Sequence, residues 1–261
     1  MQRYILTLSY KGTNYHGWQE QPNAKTIQGE LKRVLKMLFH HKICLHGAGR
    51  TDAGVHASFF VAHFDKLGKL ITDKQKFINS MNGILPNDIV IHDCFPVEHE
   101  FHARFSAVAR TYKYFINLVP NPFSTDYSYY YKYPLDVDLM NKAAEILIEY
   151  DDFKSFEKLH SNNKTSICKL SQAQWEKKDN QLIFTITADR FLRNMVRSII
   201  GTMIDIGRGK ITHEDFREII EKRDRQASGT SAKAHGLFLT NIQYPQEIDV
   251  LLEKTRKLTI L

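Results

Sequence analysis

The chain has 261 residues, 43% of them hydrophobic and 25% charged, which excludes a disordered or a fibrous chain. Its formal net charge of +7 points toward polyanionic partners, because each lysine or arginine set on a phosphate releases condensed counterions. Many basic proteins bind no nucleic acid, so charge alone leaves the partner open. Cys44, Cys94 and Cys168 are odd in number and unpaired in spacing, which argues against a disulfide framework and against a thiolate zinc site. Free thiols in a reducing compartment are the expectation.

The start, MQRYILTLSYKG, has neither the apolar core nor the small-residue cleavage site of a secretion signal. No stretch nears the roughly 18 apolar residues of a membrane span. A cytoplasmic protein without membrane partners is expected. The length allows one large core or two packed domains.

In chain order, Tyr4, Leu6, Leu8 and Tyr10 alternate with Ile5, Thr7 and Ser9, the period of a strand with one buried face. After the turn formers of KGTNYHGWQEQPNAK, Thr26 reads as an N-cap. Ile27, Leu31, Val34, Leu35 and Leu38 then recur on one helical face. Ile43 and Leu45, a glycine-rich loop at 47–54 and a strand over 59–65 follow. A short helix over 74–82, the turn Leu85-Pro86-Asn87-Asp88 and a strand over 89–93 complete the first half.

A change of character over 98–108 sets the expected boundary between a domain of residues 1–105 and one of 106–261. In the second, RTYKYFINL (110–118) reads as a strand ended by Pro120 and Pro122, and 135–150 as an amphipathic helix. The polar segment 158–164 reads as a mobile loop. Strands follow around Trp175 and over 181–188, then helices over 191–203 and 214–222, and a closing strand over 237–244. The tail 253–261 is expected to be either loose or docked. This order gives an α+β fold with mostly antiparallel mixed sheets and helices packed against them. It does not suit a doubly wound dinucleotide fold.

Three segments carry candidate chemistry. In HGAGRTDAGVHA (46–57), Gly47, Gly49 and Gly54 flank Arg50 and Asp52; an arginine near a carboxylate keeps it ionised, as a nucleophile must be. A surface turn with a solvated ion pair would read the same way. In RTYKY, Arg110, Tyr112 and Tyr114 share a strand face that could stack on bases or simply fill a core. In FLRNMVRSIIG (191–201), Arg193 and Arg197 are four apart on an apolar helix. Arg197 there calls for an anionic partner such as Asp52, unless both arginines are solvated. His40, His41, His46, His56 and His63 show no metal-ligand spacing. GRGKIT (207–212) lacks the spacing of a phosphate loop and reads as a helix-ending turn. Tyr15 and Trp18 fit an RNA platform or a packed core equally.

Taken together, YKGTNYHGWQEQ, TIQGEL, GAGRTDAGVHA, RTYKYFI, FLRNMVRSIIGT and AKAHGLFL occur in an order that resembles the tRNA pseudouridine synthase A family, over nearly the full chain. The resemblance implies a cofactor-free, metal-free isomerase that turns uridine into pseudouridine in the anticodon stem-loop of tRNA (positions 38, 39 or 40). It implies a two-domain pseudouridine synthase fold with a central basic cleft, and a homodimer acting on tRNA, with no DNA expected. It also implies Asp52 as nucleophile, Arg197 as its partner, and Arg50 as a brace for the flipped nucleotide. Tyr112 would stack on the uracil and aid proton transfer at C5, and Leu237 would line the base pocket. Lys233 stands where the family often has proline. An RNA-binding module without catalysis, and a metal-dependent nuclease or phosphotransferase, are the other classes weighed; the second would need a carboxylate cluster, which the Asp52 motif lacks.

Overall fold

The computed structural model describes residues 1–161 and 163–257. In chain order the strands are β1 (Gln2–Tyr10), β2 (Leu45–Gly47), β3 (His56–Lys66), β4 (Ile89–Val97), β5 (Ala109–Asn117), β6 (Tyr129–Tyr130), β7 (Leu170–Lys178), β8 (Gln181–Ala188) and β9 (Leu237–Gln243). The helices are α1 (Ile27–Phe39), α2 (Lys74–Ile84), α3 (Val137–Ile148), α4 (Met195–Gly207), α5 (His213–Glu221) and α6 (Gln246–Arg256). Asn162 of the expected loop and residues 258–261 of the expected tail lie outside the described residues.

Two compact units form: Met1–Val108 with the stretch from Leu239 onward, and Ala109–Phe238. This differs from the expected division at 105/106, which gave the closing strand to the second domain. The cause is pairing: β9 lies beside β3 in the sheet, and α6 follows it back onto the first unit.

In the first unit the sheet runs β4-β1-β3-β9, with β2 added on β3. β1 is antiparallel to both of its neighbours, setting Ile5 opposite His63 and Leu6 opposite Ala62. Thr26 caps α1 by accepting from the Gly29 amide at 3.2 Å. The apolar stripe Ile27, Leu31, Val34 and Leu35 is buried. Phe64 meets Phe39 of α1 at 5.9 Å and Phe77 of α2 at 6.3 Å, so these helices cover one side of the sheet.

The single buried face expected of β1 is a correction, since Tyr4 to Leu8 are buried on both sides. The second side is covered by parts of the chain distant in sequence. The Arg256 guanidinium of α6 lies 5.4 Å from the Phe59 ring, and His63 meets Phe101 at 6.1 Å. Deep burial of both faces removes the alternation that a half-exposed sheet writes into its sequence.

In the second unit β5, β8 and β7 are antiparallel in that order, and β6 adds to β5 in parallel. Asn141 of α3 fixes that helix to β7, donating to the Trp175 carbonyl at 3.0 Å and accepting from its amide at 2.8 Å. Trp175 stacks on Phe184 at 4.8 Å and donates its indole N–H to Met203 Sδ of α4 at 3.3 Å. One aromatic thereby ties sheet and helix together. Gly209, at φ 66°, ends α4, and Thr212 opens α5 with a reciprocal capping box to Asp215. GRGKIT is thus the turn between two helices.

Candidate active site

Asp52 sits on the loop between β2 and β3, and it is half-buried while Arg50 is exposed. Its backbone is held by the YKGTNYHGW segment. The Thr51 carbonyl accepts from the Trp18 amide at 3.2 Å, and the Thr51 hydroxyl meets the Tyr10 hydroxyl at 2.9 Å. The Asp52 carbonyl accepts from the Val55 amide at 3.1 Å, closing the turn. Glycine is required behind the loop: Gly17 has φ +88°, and a Cβ there would lie 2.3 Å from the Thr51 carbonyl oxygen. A Cβ on Gly12 would lie 2.0 Å from the Val55 oxygen. His56 is buried and its Nδ1 accepts from the Gly12 amide at 3.0 Å. This short segment therefore serves as a mould that fixes Asp52 by its backbone, with the residue half-buried.

Tyr15 and Trp18 are buried, so both are packing aromatics and neither offers an open ring on the surface for RNA to stack on. Trp18 stacks on Phe60 at 4.1 Å. Its ring presses on Gly47, where a Cβ would come within 2.5 Å. That assigns Gly47 to packing. Gly49 has open space where its Cβ would be.

In the second unit three sequence motifs meet. Tyr112 is half-buried on β5 opposite Ile186 of β8, and Phe191 stands edge-on to its ring at 5.2 Å. Tyr114 is buried, and its hydroxyl donates to the Lys233 carbonyl at 2.9 Å; burial raises its pKa above that of an ordinary phenol. The shared face of Arg110, Tyr112 and Tyr114 thus divides its work. Tyr114 fills the core, and Arg110 donates to the Asp189 carbonyl at 2.7 Å.

Arg197 lies in the first turn of α4, half-buried, and its Nε donates to the Ala232 carbonyl at 2.8 Å. The Ala232 amide donates back to the Arg197 carbonyl at 2.9 Å. Gly201, one turn on, admits the Thr230 carbonyl, which a Cβ would meet at 1.8 Å. Arg193 does not share the helix with Arg197. Asn194 at φ 66° delays the helix to Met195, and the Arg193 carbonyl accepts from the Lys158 amide at 2.9 Å. Leu237 is buried at the start of β9. Arg50 and Asp52 therefore belong to the first unit, and Tyr112, Arg197 and Leu237 to the second.

The boundary segment Phe101-His102-Ala103-Arg104-Phe105 supplies residues beside Arg50 that reading the motifs did not single out. His102, Arg104 and Phe105 line the same cavity as Arg50 and His46. The available signal was the clustering of Phe, His and Arg in the connector between β4 and β5. His63, behind them, is buried, and its Nδ1 accepts from the Ala103 amide at 3.1 Å. Burial, then the neighbouring charges of His102, Arg3 and His46, push its pKa down to about 3. Among the described residues, no group of three or more His, Cys, Asp or Glu is arranged to hold a metal ion. No helix among them is long and apolar enough to cross a membrane.

Residues 143–245 match the family model described as tRNA pseudouridine synthase. The tRNA pseudouridine synthase A of Bacteroides thetaiotaomicron is 48% identical over 98% of this chain and 95% of its own length. That of Bacteroides fragilis is 51% identical over 95% of this chain and 98% of its own. The enzyme of that name from Caldicellulosiruptor bescii is 43% identical over 94% of this chain and all of its own length. With identity of this level running from end to end, the chain belongs to the tRNA pseudouridine synthase A family.

Proposed function

We propose that this chain isomerises uridine to pseudouridine in the anticodon stem-loop of tRNA, with Asp52 as the nucleophile. The supporting observation is the mould around Asp52. The Thr51 carbonyl, the Thr51 hydroxyl and the Asp52 carbonyl are each hydrogen-bonded, so the carboxylate is aimed by backbone before any substrate arrives. The uridine is stacked in a stem and must leave it to be reached.

Isomerisation transfers no group and needs no redox partner. The carboxylate attacks C1′ or C6, and the N1–C1′ bond breaks with its electron pair staying on the uracil. The ring turns, C5 bonds to C1′ and the carboxylate is released. The C5 proton is then removed and N1 gains one, so substrate and product have the same atoms. Tyr112 offers the uracil a ring to stack on and a hydroxyl for the proton at C5. Arg197 supplies a positive charge for the carboxylate to pair with. Arg50 braces the RNA vacated by the flipped nucleotide, and Leu237 gives the base an apolar wall. On the same reading the protein acts in the cytoplasm as a homodimer. The test is incubation with unmodified tRNA followed by mapping of pseudouridine along the chain. Conversion confined to the anticodon arm supports the reading, and conversion elsewhere or none at all overturns it.

A further inference from the structure

Beside Asp52's loop the first unit holds a cavity of about 270 Å³ whose wall includes Gly49 and Arg50 but not Asp52. That volume is just under the roughly 300–1,000 Å³ of small-molecule sites, which suits one nucleobase with its sugar and not a helix. Its floor is rigid. The Gln28 carboxamide donates to the Leu45 carbonyl at 2.9 Å and accepts from Glu20 N at 2.9 Å and Gln19 Nε2 at 2.8 Å. Buried Trp18 closes the base.

The side walls are aromatic and cationic. Phe105 is 76% exposed, an unusual position for a phenylalanine ring in water. His102 packs on it at 4.4 Å, His46 meets His102 at 5.4 Å, and the Arg104 guanidinium lies 5.5 Å from the Phe105 ring. His102 Nδ1 accepts from the Arg104 amide at 3.1 Å. The neutral ring then carries its proton on Nε2, a donor with no partner among the described residues. Among the described residues no Asp or Glu lines the cavity, so a cation is disfavoured. An aromatic ring, imidazoles and two arginines together match the face of a base and its phosphate.

We infer that this cavity is a second nucleotide site, which holds one unstacked nucleotide of the RNA other than the uridine that reacts. The inference rests on the proposed RNA substrate but not on Asp52's chemistry. A nucleotide held here would keep the substrate open while Arg50, on the shared wall, faces the RNA. The glycine at 49, with open space at its Cβ position, lets the ribose come close to the backbone.

The test is a binding cycle on an anticodon-arm RNA. Its nucleotides flanking the isomerised uridine are replaced one at a time by abasic sites, with native protein and with Phe105→Ala. Base–aromatic stacking supports a loss of about tenfold in affinity for Phe105→Ala. One abasic position is expected to give a similar loss in native protein and no further loss in Phe105→Ala, with Phe105→Trp restoring affinity on the intact RNA. An unchanged thermal melt shows that the variant folds. Equal affinity for Phe105→Ala and native protein, or losses that add at every position, overturns the site. Pseudouridine formation on the intact RNA is followed in parallel with native protein. Its absence, with the non-additivity intact, sinks the isomerase reading and leaves the pocket standing.

Discussion

Arg197 and Ala232 hold each other by two hydrogen bonds, guanidinium Nε to carbonyl at 2.8 Å and amide to carbonyl at 2.9 Å. The pair fastens the start of α4 to the segment that leads into Leu237. It also fixes the orientation of the guanidinium, because a planar fork with one nitrogen anchored has little freedom left. Arg197→Lys keeps the charge but has no Nε to make the bond. A hydrogen bond from a charged group contributes about 1.5–3 kcal/mol, so turnover is expected to fall roughly 10- to 100-fold. The readout is kcat on unmodified tRNA beside the thermal melt, and the fall in rate is expected to exceed any that lost folded protein explains.

The mould behind Asp52 is testable at Gly17. Its φ of +88° and the 2.3 Å approach of the Thr51 carbonyl oppose any side chain. Gly17→Ala is expected to destabilise the protein by at least about 2 kcal/mol, as forced backbone at such positions does. Urea denaturation measures it. Activity per folded molecule is expected to fall as well, since relief of the clash must move Thr51 and with it Asp52.

Lys233 has φ −61° and ψ 139°, the backbone that proline imposes, and its N–H makes no hydrogen bond among the described residues. The backbone at this position therefore accepts proline without rearrangement. The hydrogen bond at this position, Tyr114 hydroxyl to Lys233 carbonyl, uses only the backbone of Lys233. Lys233→Pro is expected to stabilise by roughly 0.4–1 kcal/mol through the unfolded chain, with turnover retained. A lowered melting temperature would contradict this.

Burial of His63 produces a pH dependence. The folded ring titrates near 3, against 6.5 for the unperturbed side chain. Between these values the unfolded chain binds a proton that the folded chain refuses. This contribution is therefore complete above about pH 6.5 and is lost as pH falls toward 3, by up to about 1.4 kcal/mol per unit. Protonation would also cost His63 the bond it accepts from the Ala103 amide. The urea midpoint is expected to fall between pH 7 and pH 5, and to fall less in His63→Gln. Equal slopes would show that other groups carry the effect.

Much of this was legible in the sequence, and the rest fails for identifiable reasons. The strand over 181–188 and the Thr26 cap stand where local pattern puts them, because each is decided by neighbouring residues. α4 begins at Met195 and not Phe191, because Asn194 turns left-handed there, which apolar periodicity does not register. α6 has no strong pattern in the sequence, and its end overlaps the expected tail of 253–261: of its residues only Leu252 and Thr255 are buried, so its stripe is thin. β6 is two residues long and exists through its pairing with β5. The motifs name Asp52, Arg50, Tyr112 and Arg197 as candidates, but they do not reveal the role of Gly12 and Gly17 as the backing of the Asp52 loop. That role depends on contacts some 35–45 positions apart in sequence, which local pattern does not encode.

The claim that most needs testing is that Asp52 carries the chemistry. Release of tritium from C5 of uridine in labelled, unmodified tRNA would be measured with native protein and with Asp52→Ala, in chelator and without any nucleotide cofactor. Release by the native protein and none above background by the variant is the expected result, while both bind tRNA. Release by Asp52→Ala at a rate near the native one, or none by the native protein on tRNA that it binds, would contradict it.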